Sequence, residues 1–523
     1  MSGARPGWLA YLLVAVLAAT AIGRPVLPVD ETRYAGVAWE MLQRGDFLVP
    51  WQNAAPYSHK PPLLFWLMQA GWAVFGVNEW WPRAVPALFA AGGLWLVAAL
   101  ARELWPERRQ LAQLAPLVLA GCVLWTYFVG AIMFDMMIAF FVLLGWFGLA
   151  RAWRGAPAGG FALFALGLGG ALMSKGPVAL LHLLPPALLA PWWLRTQPVR
   201  WRRWYLGVAL GVVAGAALVL AWAIPAGFAG GDDYRRAIFW GQTSGRITES
   251  FAHRRPVWYY LPLLPLILAP WALWPRFYLA ARGLAWREPQ TRFLMVAALI
   301  PLAGLSLISG KQAQYLLPEF ALFAVLVARA LDEVPAARPQ RWSLAVPAML
   351  LALCGVAFAV AAVRLSGAAP DPEARLAAAG AGLFVIACAA VLAWRRPADP
   401  AAQVRDLACA FVAAIAAVQL SAGVLLRDAY DLRPVAQRIR ALQDRGVRVA
   451  NEGKYHGQFH FPGRLLEPID VIQSEQVQAW LDAHPGGRVL AYFRDDAYRG
   501  PGRVEFVQRY RGQRLAIVSG RAP

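Results

Sequence analysis

The chain has 523 residues, 59% of them hydrophobic and only 15% charged, with a formal net charge of +20. Apolar runs of about 20 residues, the length that crosses a bilayer, recur along most of it; that excludes a soluble globular enzyme. The excess arginine lies in loops between these runs, which points to membrane orientation and lipid headgroups and away from nucleic acid.

In chain order, the first apolar run, Trp8 to Val26, has no small-residue cleavage site and is expected to stay as an anchor. Spans are expected at 8–27, 83–101, 111–130, 134–150, 159–174, 177–194, 205–225, 257–280, 292–309, 313–330, 342–363, 375–394 and 404–426. Arginine clusters at Arg102/Arg108/Arg109, Arg151/Arg154, Arg195/Arg200/Arg202/Arg203, Arg282/Arg287, Arg338/Arg341 and Arg395/Arg396 fall in alternate loops, which puts those loops in the cytoplasm. The run Leu63 to Val77 is only about 15 residues, and counting it as a span would move every later basic loop outside, so it is expected to lie along the outer interface. The count is then about 13 spans, with the N-terminus cytoplasmic and the C-terminus outside. Cys122, Cys354, Cys388 and Cys409 all sit in apolar runs without disulfide or zinc spacing and are expected to serve in packing.

A polar insertion, Pro28 to Pro62, gathers Asp30, Glu31, Arg33, Tyr57, His59 and Lys60 between two apolar runs. Within it Tyr34, Val37, Ala38, Met41 and Leu42 form one apolar stripe of a helix, with Asp30 expected as its N-cap and Gly45 as its stop. Lysine is rare: of 50 basic residues only Lys60, Lys175, Lys311 and Lys454 are lysine. The first three sit at expected outer ends of spans, where a compact point charge suits a phosphate, against the plainer reading of snorkelling side chains. Asp135 is an acid inside an otherwise apolar run, where an ionisable group is costly and a role in function is the default. The outer loop 226–256 is long and polar, and Arg246 is its selected candidate.

Taken together, D-E-T-R-Y-A (30–35), Y-S-H-K-P-P-L-L-F-W (57–66), F-D-M (134–136), S-K-G-P (174–177) and G-K-Q-A-Q-Y-L-L-P (310–318) resemble the polyprenyl-phosphate-sugar glycosyltransferases with the membrane fold called GT-C. Nearest among them are the bacterial lipid A aminoarabinose transferases, and more distantly the protein O-mannosyltransferases. The resemblance covers roughly residues 8 to 430. It implies a periplasmic active site in the bacterial inner membrane that moves a sugar from undecaprenyl phosphate, or a related carrier, to lipid A or another lipopolysaccharide component. By the same resemblance Asp30 is the catalytic or acceptor-orienting aspartate and Asp135 a further catalytic position. Arg33, Tyr34, Tyr57, Lys60, Lys175, Arg246, Lys311 and Tyr315 are implied to line the carrier phosphate or the sugar. The residue before the K-P-P lysine is usually glutamate in the aminoarabinose transferases and is His59 here; it could still bind a divalent metal, but it would not pair with an ammonium sugar.

The residue types suit this chemistry on their own terms. A lipid phosphate leaving group needs cations to hold its developing charge, which Lys60, Arg33, Arg246 and Lys311 can supply. A hydroxyl acceptor needs a carboxylate to take its proton, and Asp30 is the candidate. The architecture expected is a transmembrane domain over 1–426, with periplasmic loops at 28–80 and 226–256, followed by a small periplasmic α/β domain over 427–523. In that domain helices are expected at 433–442 and 474–483 and strands near 447–450, 488–493, 504–510 and 515–519. Tyr455 to His460 offers two histidines and no third ligand, and reads as a solvent-facing loop. A protein O-glycosyltransferase, an O-antigen ligase or polymerase, and a flippase for lipid-linked sugars are the competing readings. A transporter would show charge near the midplane and paired repeats.

Overall fold

A computed structural model describes residues 7–195, 199–241, 255–333, 343–365, 372–395, 397, 399–495 and 497–520. Seven of its helices are long and apolar enough to cross a membrane: Trp80–Leu104, Asp135–Trp153, Pro157–Lys175, Trp201–Ala229, Pro289–Leu307, Pro372–Trp394 and Pro400–Leu425. The protein is a polytopic helical membrane protein. Trp201–Ala229 turns Leu206, Leu210 and Val213 outward, the apolar surface that lipid chains cover.

Where an expected span is interrupted, the sequence supplies the cause. The run expected to cross at 257–280 is a 3-10 turn Val257–Tyr259, a helix Tyr260–Ile267, a second 3-10 turn Trp271–Leu273 and a helix Pro275–Ala281. Pro270 and Pro275 remove the N–H groups a continuous helix would need there. Likewise 111–130 divides into Leu111–Gly121 and Val123–Phe128, with Cys122 in extended geometry between them. The span expected at 313–330 begins later: Ala313–Leu316 is a 3-10 turn, and the helix proper runs Glu319–Asp332 after Pro318. The cysteines are all free thiols, Cys122 buried and Cys354 exposed.

By contacts the chain divides into two compact units. The first comprises Met1–Ile22, His59–Leu63 and Arg83–Ser421; the second comprises Gly23–Ser58, Leu64–Pro82 and Ala422–Pro523. The first is the membrane unit. Its tightest helix pair is Asp135–Trp153 with Pro157–Lys175, joined by a short turn. Gly148 and Gly160 sit backbone against backbone there: a side-chain carbon on Gly160 would lie 2.4 Å from the Ala152 nitrogen. Small residues are what allow two helices in lipid to pack this closely. At the end of this unit that carries the basic loops, Arg108 pairs with Asp332 at 2.6 Å and with Glu333 at 3.1 Å.

The second unit joins the polar insertion to the C-terminal segment. Helix Asp30–Arg44 buries Tyr34, Val37, Ala38 and Met41, the expected stripe, and stops at Gly45, whose φ of +63° closes the last turn onto the Leu42 and Met41 carbonyls. The N-cap expectation fails. Val29 occupies the cap, no side chain caps it, and Asp30 is the first helical residue, its carboxylate turned to Arg33. Helix Leu63–Phe75 has 13 residues. At about 1.5 Å per residue that is too short to cross a hydrocarbon core of about 30 Å.

Strands β1 (Trp51–Gln52) and β2 (Ala55–Pro56) form a two-residue hairpin. In the C-terminal segment, helix Arg433–Gln443 packs on a five-stranded sheet built from β3 (Val449–Glu452), β4 (Asp470–Ile472), β5 (Arg488–Phe493), β6 (Arg503–Tyr510) and β7 (Gln513–Ser519). The spatial order is β4-β3-β5-β7-β6, with β3 parallel to both β4 and β5 and the last two pairings antiparallel. Val435, Ile439, Val449, Leu490, Leu515 and Ile517 form its core.

Candidate active site

In the membrane unit the site follows from helix geometry. Helices Asp135–Trp153 and Pro157–Lys175 each have 19 residues and run antiparallel, so the first residue of one and the last of the other end at the same level. Asp135 and Lys175 meet there as an ion pair, the carboxylate almost fully buried. Lys175 Nζ also stands 4.6 Å from the centre of the Tyr315 ring. Lys60 approaches the same helix start, with Nζ 5.9 Å from the centre of the Phe134 ring. A carboxylate, two ammonium groups and a phenol thus gather at one end of the bundle.

Lys311 has a different local role. It is 2% exposed, and its ammonium donates to the Arg255 carbonyl at 2.9 Å and to the Ile308 carbonyl. It ties the end of helix Pro289–Leu307 to the segment before Val257, and the Tyr260 hydroxyl donates to the Gln312 carbonyl at 3.1 Å beside it. Two further polar features escaped the sequence reading. His182 Nδ1 lies 2.6 Å from Glu319 Oε1, both side chains being buried in the apolar bundle. Arg83, also buried, donates to the Gly130 carbonyl at 3.1 Å. His182 and Glu319 interrupt apolar runs, the same signal that selected Asp135.

In the second unit Asp30 and Arg33 pair across one turn at the start of their helix. The Arg33 guanidinium is 5.5 Å from the Tyr34 ring, and its buried Nε has no hydrogen-bond partner among the described residues. Burial opposes the Arg33 charge, but Tyr57, Tyr34 and Asp30 outweigh it and hold the group more firmly protonated than usual. Tyr34 and Tyr57 both pack on Phe65, with ring centres 6.5 and 6.3 Å away. Elsewhere in this unit side chains fix the backbone. The Glu40 carboxylate accepts the N–H groups of Asn53 at 2.6 Å and Ala54 at 2.7 Å, the two positive-φ residues of the β1–β2 turn. Asn53 exchanges two bonds with the Ile469 backbone, and Trp39 Nε1 donates to the Leu465 carbonyl at 2.8 Å.

The Tyr455–His460 segment is not the solvent-facing loop expected from sequence. His460 is buried, bonded through Nδ1 to the Tyr455 hydroxyl at 2.7 Å, and burial pushes its pKa down to about 4. His456 is half-buried and is also held more neutral than usual, first by burial and then by Arg33 and Lys454. His59 is exposed, and among the described residues no group of three His, Cys, Asp or Glu side chains is placed to hold a metal ion. Arg246 lies outside the described residues. Asp232 and Asp233, near the start of its loop, pair with Arg235 at 2.8 Å and Arg236 at 2.6 Å.

Comparison with known proteins bears on these residues. Residues 59–226 match the family described as dolichyl-phosphate-mannose-protein mannosyltransferase. The undecaprenyl phosphate-alpha-4-amino-4-deoxy-L-arabinose arabinosyl transferase of Pseudomonas paraeruginosa is 34% identical over 311 residues, 58% of this chain and 55% of that protein. The transferase of the same name from an Enterobacter strain is 31% identical over 57% of this chain and 54% of its own length. The chain thus spans about half the length of the curated relatives it matches. In fold the likeness runs end to end: ArnT from Cupriavidus metallidurans, solved bound to undecaprenyl phosphate, superposes with a TM-score of 0.78 at 20% identity over 98% of both chains.

The chain has the GT-C fold and resembles the aminoarabinose transferases. The archaeal oligosaccharyltransferase AglB of Archaeoglobus fulgidus shares the GT-C fold more loosely, with a TM-score of 0.52 at 12% identity over 88% of this chain and 64% of that one. The family match begins at His59, one residue before Lys60, and includes Asp135 and Lys175. Asp30, Arg33, Tyr34, Tyr57, Lys311 and Tyr315 stand outside it.

Proposed function

We propose that this protein is a membrane glycosyltransferase that moves a sugar from a polyprenyl phosphate carrier, undecaprenyl phosphate by the names of its relatives, to an acceptor at the outer face of the inner membrane, lipid A or another lipopolysaccharide component. In this reading the chain crosses about 13 times, with the N-terminus cytoplasmic and the segment after residue 426 in the periplasm. The observation that carries it is the Asp135–Lys175 pair beside Tyr315: a charge pair at the joined ends of two candidate spans, where ionisable groups mark function by default.

The reaction needs little covalent help from the protein. The bond between the sugar's anomeric carbon and the carrier phosphate oxygen breaks, a bond from that carbon to the acceptor oxygen forms, and the carrier leaves as its phosphate. Lys60 and Arg33, with Arg246, stabilise the charge growing on that phosphate. Lys175 is held by Asp135 and Tyr315 in a fixed position to contribute. For a hydroxyl acceptor Asp30 takes the proton; for a phosphate acceptor it orients groups. His59 is the ligand proposed for a divalent cation, and no step depends on one. The interrupted apolar segment 257–281 favours a flippase as the second reading, since transporters use broken helices at their sites.

The test is transfer by the purified protein from radiolabelled undecaprenyl-phosphate sugars to lipid A, with Asp30→Asn and Lys60→Ala beside the wild type. Wild-type transfer that falls by about 100-fold or more in both variants is expected. Full transfer by both variants would remove the insertion from the active site. Carrier movement across the bilayer without any transfer would favour the flippase.

A further inference from the structure

The C-terminal part of the second unit carries a cleft of about 420 Å³ at the turn between β6 and β7, lined by Arg494, Tyr510, Arg511, Gly512 and Gln513. Two of these five residues carry exposed guanidinium groups, and no carboxylate is among them. The turn is firmly made. Tyr510 pairs with Gln513, Arg511 and Gly512 both have positive φ, and the Arg511 N–H bonds the Ala429 carbonyl at 3.1 Å. The Arg511 side chain bonds the hydroxyl of Tyr510, which is itself buried.

More cationic side chains stand next to this turn. The loop carrying Lys454 and His456 is fixed to the sheet through Gln458, which accepts the His456 N–H at 2.9 Å and donates to the Tyr492 hydroxyl at 3.3 Å. Tyr492 donates to Asn451 at 2.7 Å, and its ring lies 5.7 Å from that of Tyr510. On its other side the loop rests on helix Asp30–Arg44. A side-chain carbon on Gly36 would come to 3.0 Å from the Gly457 carbonyl oxygen, so the loop sits close against the helix backbone there. Gly36 lies one turn along the helix from Arg33, on the same face. His456 accordingly feels the charges of Arg33, Lys454 and Arg511 together, with Asp30 as the opposing charge.

We propose that Arg494 and Arg511, with Lys454 and His456 between them and Arg33, form an anion site that takes the phosphate-bearing headgroup of the acceptor, a phosphorylated saccharide lipid. The proposal rests on the transferase reading and adds to it the place where the acceptor is held. Guanidinium groups bind phosphate through paired N–H donors, and a volume of this order holds a sugar phosphate. A neutral sugar would call for acceptors as well as donors, and among the lining side chains only Gln513 and the Tyr510 hydroxyl accept.

The test uses the full chain in detergent and a fluorescent, deacylated glucosamine disaccharide carrying two phosphomonoesters. Its dephosphorylated form and inorganic phosphate are the comparison probes. The variant is Arg494→Gln/Arg511→Asn, asparagine being tolerated at the positive φ of position 511. Wild type should bind the phosphorylated disaccharide at least about 10-fold more tightly than the dephosphorylated one, and the variant should lose about 10-fold or more at an unchanged melting temperature. Lys454→Gln should lose a smaller factor. Equal binding of the two disaccharides, or unchanged affinity in the double variant, would overturn the proposal. So would inorganic phosphate competing as strongly as the disaccharide, or phosphatidylglycerol nanodiscs doing so, which would make the patch a general anion or membrane contact. Undecaprenyl phosphate binding, measured in parallel, should be the same in wild type and variant. Its absence from the wild type while the disaccharide result holds would sink the transferase reading and leave the anion site standing.

Discussion

The two units use polar side chains in opposite ways. In the membrane unit, ionisable partners come from distant parts of the chain and close on each other: Asp135 with Lys175, and His182 with Glu319. In the second unit, several carboxylates and amides hold backbone. Glu40 takes two N–H groups of a tight turn, Asp46 accepts those of Leu48 and Val49 at 3.0 Å each, and Asn53 binds Ile469. A bilayer interior offers no water to an unpaired charge, so each one there is matched by another side chain or, as for Lys311 and Arg83, by backbone carbonyls. At a wet surface the same groups can shape loops and leave cations such as Arg494 and Arg511 at the rim of a cleft.

The sharpest way to break this contrast is at the Asp135–Lys175 pair. Asp135→Ala leaves an ammonium buried beside Tyr315, and Lys175→Met leaves a buried carboxylate. Each should destabilise the membrane unit by about 3–5 kcal/mol, the usual consequence of removing one partner of a buried pair. The double variant Asp135→Leu/Lys175→Met should regain most of that loss, because neither charge is then stranded. Sugar transfer should be absent from all three. Thermal melting in detergent together with the transfer assay separates the two effects; a double variant that both melts normally and transfers sugar would make the pair purely structural.

The same contrast governs what was legible in the sequence. The seven long helices read directly, because about 20 apolar residues in a row have few other uses. Asp135 and Lys175 could be picked out one by one, but their pairing depends on two helices of equal length folding back through a short turn, which periodicity does not reveal. His182 and Glu319 carry the same signal, since both interrupt apolar runs as Asp135 does. Continuous spans at 111–130 and 257–280 were expected because hydropathy averages over the very residues, Cys122, Pro270 and Pro275, at which the helices stop. In the second unit Asp30 has the composition of an N-cap, yet it lies one residue inside the helix, with Arg33 in reach of its carboxylate. Strand β4 has three residues and no alternating pattern to announce it; its register comes from parallel pairing with β3.

In the second unit the strongest single lever is His460. Its imidazole is buried, with a folded pKa of about 4 against about 6.5 for an exposed histidine. Between those values the unfolded chain binds the proton and the folded one does not. Stability should therefore fall as pH drops from about 6.5 towards 4, by on the order of 3 kcal/mol, and should not respond to this group above that window. His460→Gln should remove the slope while retaining a partner for the Tyr455 hydroxyl. Amide hydrogen exchange in β3 and β5, followed against pH, reads the effect in this unit alone. An equal slope in the variant would assign the acid sensitivity to other groups.

The smallest effect lies in the β1–β2 turn, where a charge opposes backbone strain. Asn53 and Ala54 have φ of +53° and +64°, the mirror-turn geometry that joins two strands by two residues. Asparagine accepts it readily; alanine does so at a cost of about 1–2 kcal/mol. Glu40 compensates by taking both N–H groups on one carboxylate. Glu40→Gln keeps one acceptor oxygen and loses the charge, so it should weaken the hairpin by about 1–2 kcal/mol. Ala54→Gly removes the strain and should stabilise it by about 1 kcal/mol. The combined variant should then melt above wild type, close to Ala54→Gly alone, because the carboxylate matters most where the backbone is strained. A Glu40→Gln loss of the same size in the Ala54→Gly background would show that the carboxylate acts independently of the turn, through its pairing with Arg44 at 3.1 Å.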